Sequence, residues 1–378
     1  MHFLLARTVL NGLVAGETFQ FTNSPLIGLG TGYTDCFGEQ LNCKVPDTKF
    51  FENALEAGCR LFDTAFVYGT EGKLGEALTN WFARGHLREE VYIIAKPPST
   101  RFFCGRCAQL RREGARIEGT CKKKECVAGV MNISHAISIS LRRLNLRYVD
   151  ALLMHQPYEE SPNSFVEQWV QMEAAVEAGK ARALGLAGVG MDPMCPDPGM
   201  CWLWWSRSKS PGGIGNWGPF SNMSIWPTVV HTDGNRRELP FRRQRAEFWR
   251  MLGIRVIGGG LRRLELPRKL RRSAKKIAKE RRSRGETVTV RQILLMFMSQ
   301  TGLAGPGPLI PETRNISHLE ENLAVLRLPP LDESETLRLS DRIHDVEQDD
   351  DFELVDDDGA MSAWQASRSC IGAAKCMD

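Results

Sequence analysis

No apolar run in this sequence approaches the ~18–20 residues that a membrane-spanning helix needs, so a membrane protein is not expected. The opening stretch holds only Phe3-Leu4-Leu5-Ala6 before Arg7. That run is too short for a signal-peptide core, and its basic residue lies on the wrong side. The Arg- and Ser-rich signature of an organellar transit peptide is missing as well, and a cytosolic protein is expected. The charge excess is small: 49 Lys+Arg against 45 Asp+Glu, or +4. Such a balance pulls weakly on anions such as phosphate groups and makes no case for a nucleic-acid protein. The cysteine count is odd, at 11. Without a secretion signal it speaks for reduced thiols or a metal site rather than a disulfide framework. No sequence repeat of some 20–50 residues is present. Gly28-x-Gly30-x-Gly32 is no dinucleotide fingerprint either, because the third glycine comes one residue early and no acidic ribose ligand follows at the right distance.

What is present is an alternation of short apolar runs with amphipathic stretches. Three consecutive runs end in a charge or an imidazole: Leu61-Phe62 on Asp63, residues 91–95 on Lys96, and residues 151–154 on His155. Tyr68 follows Asp63 closely. Apolar strands ending in polar groups, each followed by a helical pattern, describe a parallel β/α protein with a polar site at one rim. A carboxylate, a phenol, an ammonium and an imidazole gathered there can move a proton to or from an oxygen.

Strand-like runs fall at 25–32, 59–63, 91–96, 149–155, 181–187, 227–232, 254–257 and 309–311. Between them, apolar residues recur at helical spacing. Examples are Phe51, Ala54 and Leu55 behind an Asp47 cap, then Leu74, Leu78 and Trp81, then Ile133, Ile137, Leu141 and Leu144. Eight such repeats favour a (β/α)8 TIM-type barrel over an open sheet. The barrel is expected over residues 1–345, with long loop insertions at 99–126 and 189–226. Residues 346–378 form an acidic C-terminal tail. The basic stretch at 268–284 carries one apolar stripe, Leu270, Ala274, Ile277 and Ala278, and lacks interleaved aromatics. It reads as a solvated barrel helix.

Four groups of residues then carry a resemblance. The stretch 61–69, with Glu71 and Leu74-Gly75-Glu76-Ala77-Leu78, resembles the second-strand signature of the aldo-keto reductases. Residues 140–150 running into Met154-His155-Gln156-Pro157 are similar to that family's fourth-strand region. Residues 179–185 resemble its fifth strand, and 310–314 with 318–323 resemble its eighth strand and cofactor loop. The resemblance implies a barrel that reduces aldehydes and ketones with NADPH, on a small-molecule carbonyl substrate, with NAD not excluded. It implies a catalytic tetrad of Asp63, Tyr68, Lys96 and His155. Tyr68 would give the proton, Lys96 would stabilise its anion, Asp63 would hold Lys96, and His155 would orient the carbonyl. It also implies cofactor contacts from Gly30, Thr31 and His231, from the backbone at Gly258, Gly259 and Gly260, and from Thr313, Arg314, His318, Glu321 and Asn322.

Some positions depart from the family pattern. Ala187-Gly188 stand where the family places Ser-Asn, His231 aligns with a glutamine, and the ring-stacking aromatic is replaced near Gly258. These departures leave a second reading open, a low-turnover cofactor-binding redox sensor on the same fold. The first insertion holds Cys104-x2-Cys107 and Cys121-x4-Cys126. Four thiolates at that spacing could clip the loop with zinc. The plainer reading is a surface insertion with free thiols, and a redox pair at Cys104 and Cys107 is a third.

Overall fold

The structure is a computed structural model that describes residues 27–32, 45–97, 133–155, 162–187, 228–232, 255–259, 268–301 and 307–348, with backbone alone at 162–165, 230–232 and 343–348. Both insertions, Gly260 and the chain from residue 349 lie outside the described residues.

Seven strands form one parallel sheet in chain order. They are β1 (Leu29–Gly30), β2 (Leu61–Asp63), β3 (Tyr92–Ala95), β4 (Ala151–His155), β5 (Leu184–Ala187), β6 (Val229–Thr232) and β7 (Arg255–Gly258). The eighth run closes the ring. Leu309 bridges Gly258 on one side and Ile27 on the other, and Glu312 bridges Gly30. The amide of Gly258 donates to Pro308 O at 2.9 Å, and that of Gly28 to Leu309 O at 2.9 Å. The expected eight-membered barrel is therefore closed, without a free sheet edge among the described residues.

Apart from the last, the helices lie where the apolar spacing places them. They are α1 (Thr48–Glu56), α2 (Glu71–Ala83), α3 (Ile133–Leu144), α4 (Pro162–Glu177), α5 (Arg268–Ser283), α6 (Val290–Thr301), α7 (Ile316–Ala324) and α8 (Glu333–Gln348). Asp47 caps α1 by accepting from the amide of Phe50 at 2.9 Å. Gly58 takes the left-handed conformation just past its end, at φ +93°.

Two apolar clusters divide the strand residues by face. One joins the outward faces to the helices, with Phe51, Phe62, Ile93, Leu152 and Trp169 among its members. The other fills the barrel, with Leu61, Ile94, Leu153, Val229, Ile257 and Ile310. Side chains alternate along a strand. Two residues beyond Leu61, Ile94 and Leu153 come Asp63, Lys96 and His155. The same phase that packs the barrel interior thus carries all three polar groups to its C-terminal rim.

Candidate active site

Each of the three sits where its strand ends, and each is buried: Lys96 at 0%, Asp63 at 3% and His155 at 4% exposure. The ammonium of Lys96 lies 2.6 Å from both carboxylate oxygens of Asp63. It also donates to the Tyr68 hydroxyl oxygen at 3.4 Å and to Thr64 O at 3.4 Å. Burying a lysine is tolerable only when it is paired and hydrogen-bonded, and these partners supply both.

Tyr68 arrives from a short 3-10 turn, Phe66–Tyr68, that follows β2. The turn is pinned to the end of β3, because the Phe66 amide donates to Lys96 O at 3.1 Å. Its far side is held by α3: Arg143 lies over the Phe66 ring, with its guanidinium carbon 4.8 Å from the centroid. The Tyr68 ring meets the His155 ring edge-on at 5.7 Å and 82°. On its other side stands Gly32. A Cβ at that position would come within 2.6 Å of the phenol ring. The chain after β1 therefore approaches the ring as only a glycine can.

Under the tetrad lies a set of buried hydroxyls. Thr31 donates to Asp63 O at 3.0 Å and shares a hydrogen with Thr70 at 2.9 Å, and Thr70 reaches Thr64 at 3.3 Å. The Thr31 hydroxyl is thus directed to β2. The sequence reading missed Gly32, Thr64 and Thr70. The only signal available was their proximity to Asp63 and Tyr68 along the chain.

The residues expected at the cofactor are spread along the same rim. Gly30 ends β1, with the Glu312 side chain over its backbone. His231 lies in β6, paired with Ala187 and Ile257. Gly258 ends β7, and Gly259 follows it, buried. Thr313 is buried, and its hydroxyl accepts from the Asn315 amide at 3.1 Å. Asn315 in turn caps α7 by accepting from Ser317 N at 2.9 Å. Arg314 and His318 are exposed at the N-terminal end of α7, where helix amides and dipole favour an anion. Glu321 is occupied within the fold, since its carboxylate accepts from the Thr289 hydroxyl.

Asn322 tests whether a cofactor fits. It is fully buried, yet neither its amide nitrogen nor its amide oxygen has a hydrogen-bond partner among the described residues. A buried amide left so costs free energy, and a group with both a donor and an acceptor edge, such as adenine, would satisfy it. Asn322 thus offers the donor and acceptor that an adenine edge would take. No group of three or more His, Cys, Asp or Glu is placed to hold a metal among the described residues. The four cysteines of the zinc expectation lie outside them.

Asp150 is a second buried carboxylate, just before β4 at the opposite rim. It accepts from Ile93 N at 2.8 Å and from Arg88 at 2.7 Å, and Arg182 stands at 3.5 Å. Those contacts tie strands and loops together and make it structural. Glu71, at the start of α2, has its carboxyl held above the usual range by burial, which outweighs the nearby Ser140 hydroxyl and the charge of Arg143.

Residues 27–195 match the family model described as "Aldo/keto reductase family". An aldose reductase of Encephalitozoon cuniculi is 25% identical over 330 residues, covering 80% of this chain and 86% of that one. A D-galacturonate reductase of Hypocrea jecorina is 27% identical over 201 residues, 46% of this chain and 52% of its own. An aldo-keto reductase of Mycolicibacterium smegmatis is 29% identical over 45% of this chain and 47% of its own. The chain thus spans about half the length of the last two relatives. Among solved structures, an aldo-keto reductase of Bombyx mori in complex with NADP superposes at TM-score 0.55. It is 21% identical, and the match covers 84% of this chain and 89% of that one. An aldo/keto reductase of Brucella melitensis superposes at 0.56, with 18% identity. These structures share the barrel fold.

Proposed function

We propose that the chain is a member of the aldo-keto reductase family, which its first half matches, and that it is an oxidoreductase that reduces an aldehyde or ketone to an alcohol, with NADPH as hydride donor and Tyr68 as proton donor. The observation that carries this reading is the single ammonium of Lys96 shared between Asp63 and the Tyr68 hydroxyl.

When bound, the dihydronicotinamide supplies a hydride to the carbonyl carbon. Negative charge then grows on the carbonyl oxygen, and the Tyr68 hydroxyl gives it a proton to form the alcohol. The phenolate left behind faces the Lys96 ammonium, which favours it by charge at short range in a dry site. Asp63 pairs with that ammonium and aims it. His155, buried edge-on to Tyr68, orients the carbonyl oxygen toward the phenol. Solvent returns the proton to Tyr68 after release of the alcohol.

Asn322 would take the adenine, and Arg314 and His318 at the head of α7 would take a 2′-phosphate. A guanidinium and an imidazole donor there favour NADP over NAD. The NADP complex of the Bombyx mori relative supports the same choice.

The test is fluorescence quenching by NADPH and by NADH, followed by NADPH consumption with a panel of aldehydes and ketones. Tight NADPH binding with turnover that vanishes in Tyr68→Phe is the expected result. Failure to bind either nucleotide would overturn the proposal. Binding without turnover would fit the sensor reading instead.

A further inference from the structure

Helix α5 is the most one-sided surface among the described residues. Its sequence, RKLRRSAKKIAKERRS, contains a single acid, Glu280, and its first turn contains none. Leu270, Ala274, Ile277 and Ala278 are buried against the barrel. Arg271, Arg272, Lys275, Lys276 and Lys279 are exposed and have no ion-pair partner among the described residues. Glu280 is itself engaged by Arg338 at 2.7 Å.

This arrangement works against the helix. Cations near the N-terminal end oppose the helix dipole. Like charges four residues apart repel, as Arg271 with Lys275, Arg272 with Lys276 and Lys275 with Lys279. An anionic partner over this face would relieve both effects.

The direction of α8 says where a partner enters. Glu335 pairs with Arg284 and Arg281, while Arg338, further along α8, pairs with Glu280. The two helices are therefore antiparallel. At about 1.5 Å per residue, the end of α8 at Gln348 comes level with the first turn of α5. The next ten residues read DDDFELVDDD, with no basic residue.

We propose that residues 349–358 dock on the exposed basic face of α5, as an intramolecular counter-charge that withholds this face from polyanions. The charges are complementary, and the chain leaves α8 beside the end of α5 where they are needed. The inference is independent of the reductase reading.

A zero-length carbodiimide cross-linker, which joins lysine to carboxylate, tests it on the full chain. Within one molecule, Lys275, Lys276 or Lys279 should link to acids of 349–358 at low ionic strength. The links should be lost at about 0.5 M salt, where screening is short-ranged. Links absent, or formed only between molecules, overturn the proposal. A second measurement uses a chain with Asp349, Asp350, Asp351, Asp356, Asp357 and Asp358 all changed to Asn. It should elute from immobilised heparin at higher salt than the unchanged protein. Equal elution would show a face open to external polyanions and would also overturn it.

Discussion

The Lys96 nitrogen stands 2.6 Å from each oxygen of Asp63 and 3.4 Å from the hydroxyl of Tyr68. One buried cation thus serves two groups with different tasks. The carboxylate fixes it, and the phenol draws on what remains of its field. Tyr68→Phe keeps the ring and removes the proton. It should lower NADPH-dependent reduction by roughly 10²–10⁴-fold while leaving cofactor quenching unchanged, and steady-state rates beside a binding titration would show this.

Lys96→Met should also unfold the barrel more easily. It removes the cation paired with the buried Asp63, and breaking a buried pair costs about 3–5 kcal/mol. Denaturant titration reads the loss. The double change Lys96→Met with Asp63→Leu should recover much of it without restoring activity.

Gly32→Ala is expected to act through Tyr68 alone. The new methyl would need space already held by the phenol ring, so the ring must shift. The turnover number should fall while circular dichroism and melting temperature change little. A large stability loss with normal turnover of the surviving protein would contradict this account.

Asn322 sets stability against binding. Its buried amide lacks partners among the described residues, and an unsatisfied buried polar group costs about 1–3 kcal/mol. Asn322→Leu should therefore raise the melting temperature of the cofactor-free protein and weaken NADPH binding, by roughly tenfold for one lost contact worth about 1.4 kcal/mol. Calorimetry with and without NADPH measures both arms.

Glu71 predicts a pH effect with a definite sign. Burial raises its carboxyl pKa in the folded chain, against weaker lowering by Ser140 and Arg143. Between the ordinary carboxylate range and the raised value, the folded chain holds a proton that the unfolded chain has released. Stability from this group is full below that window and is lost as pH rises through it. Glu71→Gln should flatten the slope, as unfolding free energies measured from pH 4.5 to 7.5 (about the span from the ordinary value upward) would reveal.

Asp63, Lys96 and His155 were legible because each ends an apolar run, and strand periodicity then places them on the inner face, whereas Tyr68 was legible only by its closeness to Asp63 along the chain. The barrel was legible because eight runs alternate with helical stripes. Other features depend on contacts between distant segments. Gly32 touches Tyr68, and Thr31 reaches Thr70 across 39 positions; no local pattern announces either. Helix α8 escaped notice because its apolar stripe is thin. Leu339 is buried, Leu337 is exposed, and the helix is secured by the Arg281–Glu335 pair. The cofactor contacts at Gly258 and His231 rest on resemblance, since a strand end looks alike with or without a nucleotide beside it.

Residues 309–312 clasp both the first and the seventh strands. During synthesis, every member of the tetrad has left the ribosome long before that clasp exists. The ring must wait for a segment more than two hundred positions downstream of Lys96, so its assembly pays a long loop-closure entropy and is slow by topology. A truncated or stalled chain that stops short of residue 309 would carry all four reactive groups and still have open strand edges exposed to its neighbours.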